Sequence, residues 1–178
     1  MPNNDYDRYN FSFRNTTNFL NNKFILDTSA NYIIQNDKNM VSQGQYFNPL
    51  TSLYLFPRGE DFSDVAVYER YDDLSGVNTQ YWPYGDLGGV SSQNPYWIMN
   101  RMNRENDRRR YKLAASLQYN IIEGLNVQGR VSIDNTESKY TEKFHAGTVG
   151  NFAGPKGRYK EENRLDRQVY AECIGELQ

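Results

Sequence analysis

Chemistry-bearing side chains are scarce in this chain of 178 residues. It has one cysteine, Cys173, and one histidine, His145. A single thiol excludes a disulfide within the chain and any Cys-based zinc site, and a single imidazole excludes a His cluster. The formal net charge of −2 leaves no basic footprint for nucleic acid. No apolar run reaches the about 18 residues a transmembrane helix needs, so that mode of crossing is excluded. A membrane is not excluded, because barrel strands alternate in polarity and carry no long apolar run. The first residues, Met1-Pro2-Asn3-Asn4-Asp5, lack the apolar stretch of a secretory signal.

What is abundant is aromatic. Phe, Trp and Tyr make up 15% of the chain, with 15 tyrosines, yet mean hydropathy is −0.87. A water-soluble domain with this many aromatics would carry more Leu, Ile and Val for a core. A membrane barrel reconciles the two figures, with a polar lumen, polar loops, an apolar lipid face and aromatic girdles at both interfaces. Scattered asparagines suit turns and wet surfaces.

Alternation recurs along the chain. Tyr9, Phe11 and Phe13 alternate with Asn10, Ser12 and Arg14. After Asn21-Asn22, one face carries Phe24, Leu26, Thr28, Ala30, Tyr32 and Ile34. The clearest run has Tyr111, Leu113, Ala115, Leu117, Tyr119 and Ile121 on one face, with Lys112, Ser116 and Gln118 on the other. Beyond Glu123-Gly124, Leu125, Val127, Gly129, Val131 and Ile133 continue the pattern. Strands are expected over about residues 8–19, 23–35, 108–121, 125–144 and 158–173. Several match the about 9–11 residues that span a bilayer at a tilt of about 45°, whereas soluble strands cluster near about 5–6. The expected fold is all-β, an antiparallel meander of about five long strands from a transmembrane barrel. Short turns alternate with long loops, about 36–107 and 145–157, so every long loop falls on one side, the extracellular one in a barrel. One helix is expected in the long loop, capped by Asn48, opened by Pro49 and ended before Pro57. Asn94-Pro95-Tyr96-Trp97 reads as a turn.

Three segments carry a family resemblance. They are Asn48-Pro49-Leu50 running to Tyr54-Leu55-Phe56-Pro57-Arg58-Gly59; Gln93-Asn94-Pro95-Tyr96-Trp97 followed by the polar run from Asn103 to Arg108; and the hairpin from Leu117 to Arg130. In this order, and with the strand from Phe24, the chain resembles the SusC/RagA family of TonB-linked outer-membrane receptors of Bacteroidetes. The resemblance implies a 22-stranded barrel with an N-terminal plug, a TonB-contacting segment and a SusD-like lipoprotein over the extracellular mouth. It implies import of glycans or oligopeptides. Plug, TonB box, signal peptide and most strands are not in this sequence, so the expectation is a barrel fragment that does not transport alone. The expected localisation is the outer membrane, in contact with its lipid, with no enzymatic activity and no cofactor. The alternative is a soluble all-β carbohydrate-binding module, which predicts shorter strands and apolar faces packed inward.

Candidate contacts with substrate or lid lie in the long loop: Tyr81, Trp82, Tyr84, Tyr96, Trp97, Arg101 and Arg104. The aromatics would stack on sugar rings; the competing and favoured reading is packing of loop on loop. Arg101, Arg104, Arg108, Arg109 and Arg110 would meet an anionic substrate or a lipid phosphate, against a solvated rim balanced by Glu105 and Asp107. Glu60, Asp61, Asp64, Asp72 and Asp73 offer oxygen ligands but no EF-hand spacing, so a solvated acidic loop is favoured. His145 has no companion ligand. The glycines in 85–89 and 147–157 lack a phosphate-loop setting and read as flexible loop.

Overall fold

Period-two polarity builds long strands here, and asparagine and glycine turn them. The computed structural model describes residues 3–40, 46–85 and 92–177. Five strands form one antiparallel sheet in the order β1-β2-β5-β6-β7. They are β1 (Asp5–Phe19), β2 (Phe24–Lys38), β5 (Met102–Ile122), β6 (Leu125–Phe144) and β7 (Arg158–Leu177). β5 is 21 residues long and β6 and β7 are 20 each, far beyond the mode of about 5–6 for globular strands. β1 and β7 are the edges, and the sheet does not close on itself.

The turn between β1 and β2 runs through Leu20, Asn21 and Asn22, all at positive φ, and the Lys23 N–H returns to the Leu20 carbonyl at 3.2 Å. Asparagine tolerates this left-handed region better than other side chains, so Asn21-Asn22 is the chemistry such a hairpin needs. Gly124, at φ +84°, does the same between β5 and β6.

Between β2 and β5 the chain builds more than the one helix its sequence suggests. α1 (Pro49–Leu55) is capped by Asn48, whose side chain accepts from the Leu50 N–H. A 3-10 turn (Phe62–Ala66) follows, then a hairpin of β3 (Glu69–Asp72) and β4 (Val77–Gln80), then α2 (Pro95–Arg101). Asn94-Pro95-Tyr96-Trp97 is thus the start of a helix rather than a turn. Asn94 accepts from the Tyr96 N–H, and Pro95 takes a first-turn position where a missing N–H costs nothing.

The residues divide into two compact units. A loop unit holds 1–6, 36–106 and 140–162; a strand unit holds 7–35, 107–139 and 163–178. In the loop unit, Trp97, Ile98, Met102, Phe144 and Ala153 form a buried cluster, with Phe47, Tyr68 and Phe152 against it. Among the described residues every buried hydrophobic side chain, Val65 included, belongs to the loop unit; the strand unit has none.

Candidate functional site

Alternation gives the strand unit two distinct faces, and a separate cleft lies in the loop unit. In the strand unit, register decides which side chains share a face. The Asn120 N–H donates to the Lys23 carbonyl at 2.8 Å, and the next pair, Phe24 and Tyr119, stack with centroids 4.5 Å apart. Between β1 and β2 the Thr28 hydroxyl donates to the Asn15 carbonyl. These pairs set Phe19, Phe24 and Tyr119 in one cross-strand row. Phe11, Tyr32 and Tyr111 fall in a second row, eight positions along each strand. At about 3.3–3.4 Å per residue the rows lie about 27 Å apart along the strands. Leu113, Leu117, Val131, Leu165 and Val169 belong to the same apolar face, and all are exposed. Phe11 and Phe13, at 60% and 64% relative exposure, are far more open than a core position allows.

The opposite face is polar and self-paired. Arg14 meets Asp27 at 2.6 Å, Arg110 Nε meets Asp134 at 2.8 Å, and Arg130 meets Glu172 at 2.7 Å. Ser29, Ser116 and Gln128 share a shallow cleft of about 360 Å³ with the first of these pairs. Beyond the Tyr111 row, the apolar face gives way to Arg109, Asp107, Glu137 and Lys139, which line an open cleft of about 450 Å³. Arg164, which is bonded to Asp166, lines it too, so charges of both signs meet there.

The loop unit is tied together by buried amides. Asn94 is wholly buried; its Nδ2 donates to the carbonyls of Val65 (2.9 Å) and Tyr81 (3.0 Å), and its N–H donates to Gln80 Oε1 at 2.6 Å. Gln93, also buried, donates to the Tyr46 carbonyl. One side chain thus holds the 3-10 turn, the segment after β4 and the start of α2.

The aromatic and arginine candidates are drawn into this framework. Trp97 has no exposed surface, and its Nε1–H donates to the Thr148 hydroxyl. Tyr96 packs against Phe62 and Tyr68. Trp82 meets Tyr84 edge-on and donates to Ser92 Oγ, and Tyr84 in turn packs on Phe56. Burial, followed by the charges of Glu60 and Asp64, pushes the Tyr84 phenol up. Tyr81 lies under the Arg70 guanidinium, 3.4 Å from the ring centroid. Arg104 stands over Phe47 and donates to the Met40 carbonyl. Arg108 reaches Ser138, and Arg110 is bound to Asp134. The loop aromatics therefore make the packing contacts that compete with a sugar-stacking role.

Arg101 is forked onto Glu69, Nε to Oε2 at 2.8 Å and Nη2 to Oε1 at 2.9 Å. The Arg101 hydrogen bonds hold the Glu69 carboxyl below its ordinary value. Nearby, burial pushes the His145 imidazole down, with the Arg101 charge adding to it. Glu69, Arg101 and His145 line a cleft of about 490 Å³ with Tyr71, Asn78 and Trp97. Sequence reasoning did not find Glu69, Tyr71 or Asn78. The hairpin that carries them has four-residue strands with no apolar alternation.

Two of the acidic residues, Asp61 and Asp72, serve as local caps. Asp61 accepts from the Ser63 N–H, which lowers its carboxyl; Asp72 is lowered first by a hydrogen bond from the Ser75 side chain and then by the N–H groups of Leu74 and Ser75. Among the described residues no cluster of three or more His, Cys, Asp or Glu is placed to hold a metal ion. Of the glycine-bearing loop 85–89, positions 86–89 lie outside the described residues. Gly147 is held at φ +84°. Scans against protein-family models and curated proteins return no match for this chain.

Proposed function

We propose that the strand unit is part of the wall of an outer-membrane β-barrel, and that the parent protein is a TonB-dependent nutrient receptor. One observation carries the wall reading: a five-strand sheet presents a largely apolar face, interrupted by Asn15, Thr17, Thr28 and Arg167, with aromatic rows near both ends of β1, β2 and β5 and no core over it among the described residues. Leaving Phe or Leu in water forgoes about 1.5–3 kcal/mol per side chain. A handful of such residues equals the whole stability of a soluble domain, about 5–15 kcal/mol. Lipid removes that penalty for a closed wall. Eleven residues, Tyr111 to Ile121, alternate on β5; at a tilt of about 45° such a run covers the about 25 Å apolar band of outer-membrane barrels. The paired polar face would then line the lumen.

The receptor reading rests on the SusC/RagA resemblance together with the long insert between β2 and β5. In it, extracellular loops capture a glycan or an oligopeptide under a SusD-like lipoprotein, and TonB supplies the energy for entry. The protein acts as a transporter and not as an enzyme, and this stretch alone, with two free sheet edges, does not transport.

Behaviour in solution tests the wall. The chain is expected to stay dispersed only with detergent or lipid. A monodisperse monomer unfolding cooperatively in plain buffer would contradict the proposal and favour a soluble carbohydrate-binding module. Coding sequence flanking this stretch tests the receptor: a plug-encoding region upstream and further strands downstream are expected, and unrelated flanks would remove that reading.

A further inference from the structure

The cleft beside the β3–β4 hairpin has features that the wall and the packing of the loop unit leave unused. Pairing of Glu69 with Gln80 and of Tyr71 with Asn78 puts these four on one side of the hairpin. Tyr71 is 65% exposed at the cleft, although most of the loop unit's other aromatics are packed. The walls are fixed. A Cβ on Gly147 would sit 2.6 Å from the Thr79 Cα, so this loop is pressed onto β4. The His145 N–H donates to the Arg101 carbonyl at 3.0 Å, and buried Trp97 lies beneath. A volume of about 490 Å³ falls within the usual range for small-ligand sites.

The chemistry of the lining narrows the ligand. Glu69 and Arg101 neutralise one another, and at His145 partial burial and the Arg101 charge both disfavour the protonated form. The cleft thus has no net charge to draw an anion or a cation. Each Glu69 oxygen keeps a lone pair beyond its bond to Arg101. The Asn78 amide and a neutral imidazole each both donate and accept. That set suits hydroxyls, which also do both. The flat, open face of Tyr71 suits the C–H side of a saturated ring.

We propose that this cleft binds one ring of a neutral, polyhydroxylated ligand, a pyranose unit of an uncharged glycan. The assignment rests on the receptor reading, in which the loop captures substrate, and it chooses glycan over peptide for this site. The full chain in detergent micelles, fluorescently labelled, is applied to an array of neutral glycans, uronate-bearing glycans and short peptides. Neutral glycans are expected to bind. Tyr71→Ala and Asn78→Ala should each weaken that binding by about tenfold or more. Tyr54→Ala, on an 85% exposed residue away from the cleft, should leave it unchanged. Binding that survives both cleft substitutions, equal binding of uronates or peptides, or no binding to any neutral glycan overturns the assignment. These outcomes leave the wall reading standing if the strand unit still contacts lipid. Glycan binding by a chain that needs no detergent removes the wall and keeps the site.

Discussion

Single residues set the stability of the loop unit. Trp97 fills its centre, and Trp97→Ala should cost about 3–5 kcal/mol, read as a fall in the thermal midpoint of the near-ultraviolet signal in detergent. Gly147 is constrained twice over, by its positive φ and by the Thr79 and Asn78 backbone within 2.8 Å of where a Cβ would stand. Gly147→Ala should destabilise by about 2–3 kcal/mol, by the same measurement. Glu69 and His145 make this unit sensitive to acid. The folded-state value of each lies below its unfolded value. For His145, the unfolded chain binds a proton near pH ~6.5 more readily than the folded chain does, so stability falls as pH drops through that value. For Glu69, the stabilisation is complete above about pH 4.3 and is lost as pH falls through the lower folded value. Melts across this range should show a decline in two stages. In Glu69→Gln the lower stage should shrink; an unchanged profile would remove Glu69 from the account.

At the scale of the element, the sheet is legible from sequence and the insert is only partly so. Alternation over Tyr111–Ile121 and Leu125–Ile133 marks β5 and β6 because one face of each is apolar throughout; Glu123-Gly124 marks the turn between them, and Asn21-Asn22 the turn between β1 and β2. α2 is missed even though Asn94-Pro95 repeats the chemistry of Asn48-Pro49, because no proline or glycine marks its end as Pro57 marks that of the equally short α1. The β3–β4 hairpin is missed because its residues are polar on both sides. The Glu69–Arg101 pair is invisible in sequence, since contact across 32 positions depends on the fold. Asn94 joins these parts. Asn94→Ala removes a helix cap and leaves the Val65 and Tyr81 carbonyls without their donor, a cost of about 2–4 kcal/mol. Asn94→Asp keeps the cap acceptor but loses both donors, so it should also destabilise. If the aspartate variant melts like the native chain, the two carbonyl bonds contribute nothing.

For the whole molecule the governing fact is where burial occurs. The loop unit has a core around Trp97 and Met102, while the strand unit has a paired polar face and an apolar face covered by nothing in the described chain. Alternation in the sequence foretold that face, but the two aromatic rows depend on register, which alternation alone does not supply. Ala114 and Ala115 stand side by side on β5, on opposite faces. With Cys173 replaced by serine, Ala114→Cys and Ala115→Cys give two places for a spin label in the chain held in lipid nanodiscs. The decisive measurement is the accessibility of each label to oxygen, which concentrates in lipid, and to a water-soluble nickel chelate. A barrel wall predicts that the label at 115 responds to oxygen and the label at 114 to nickel. Equal access of nickel to both would contradict it.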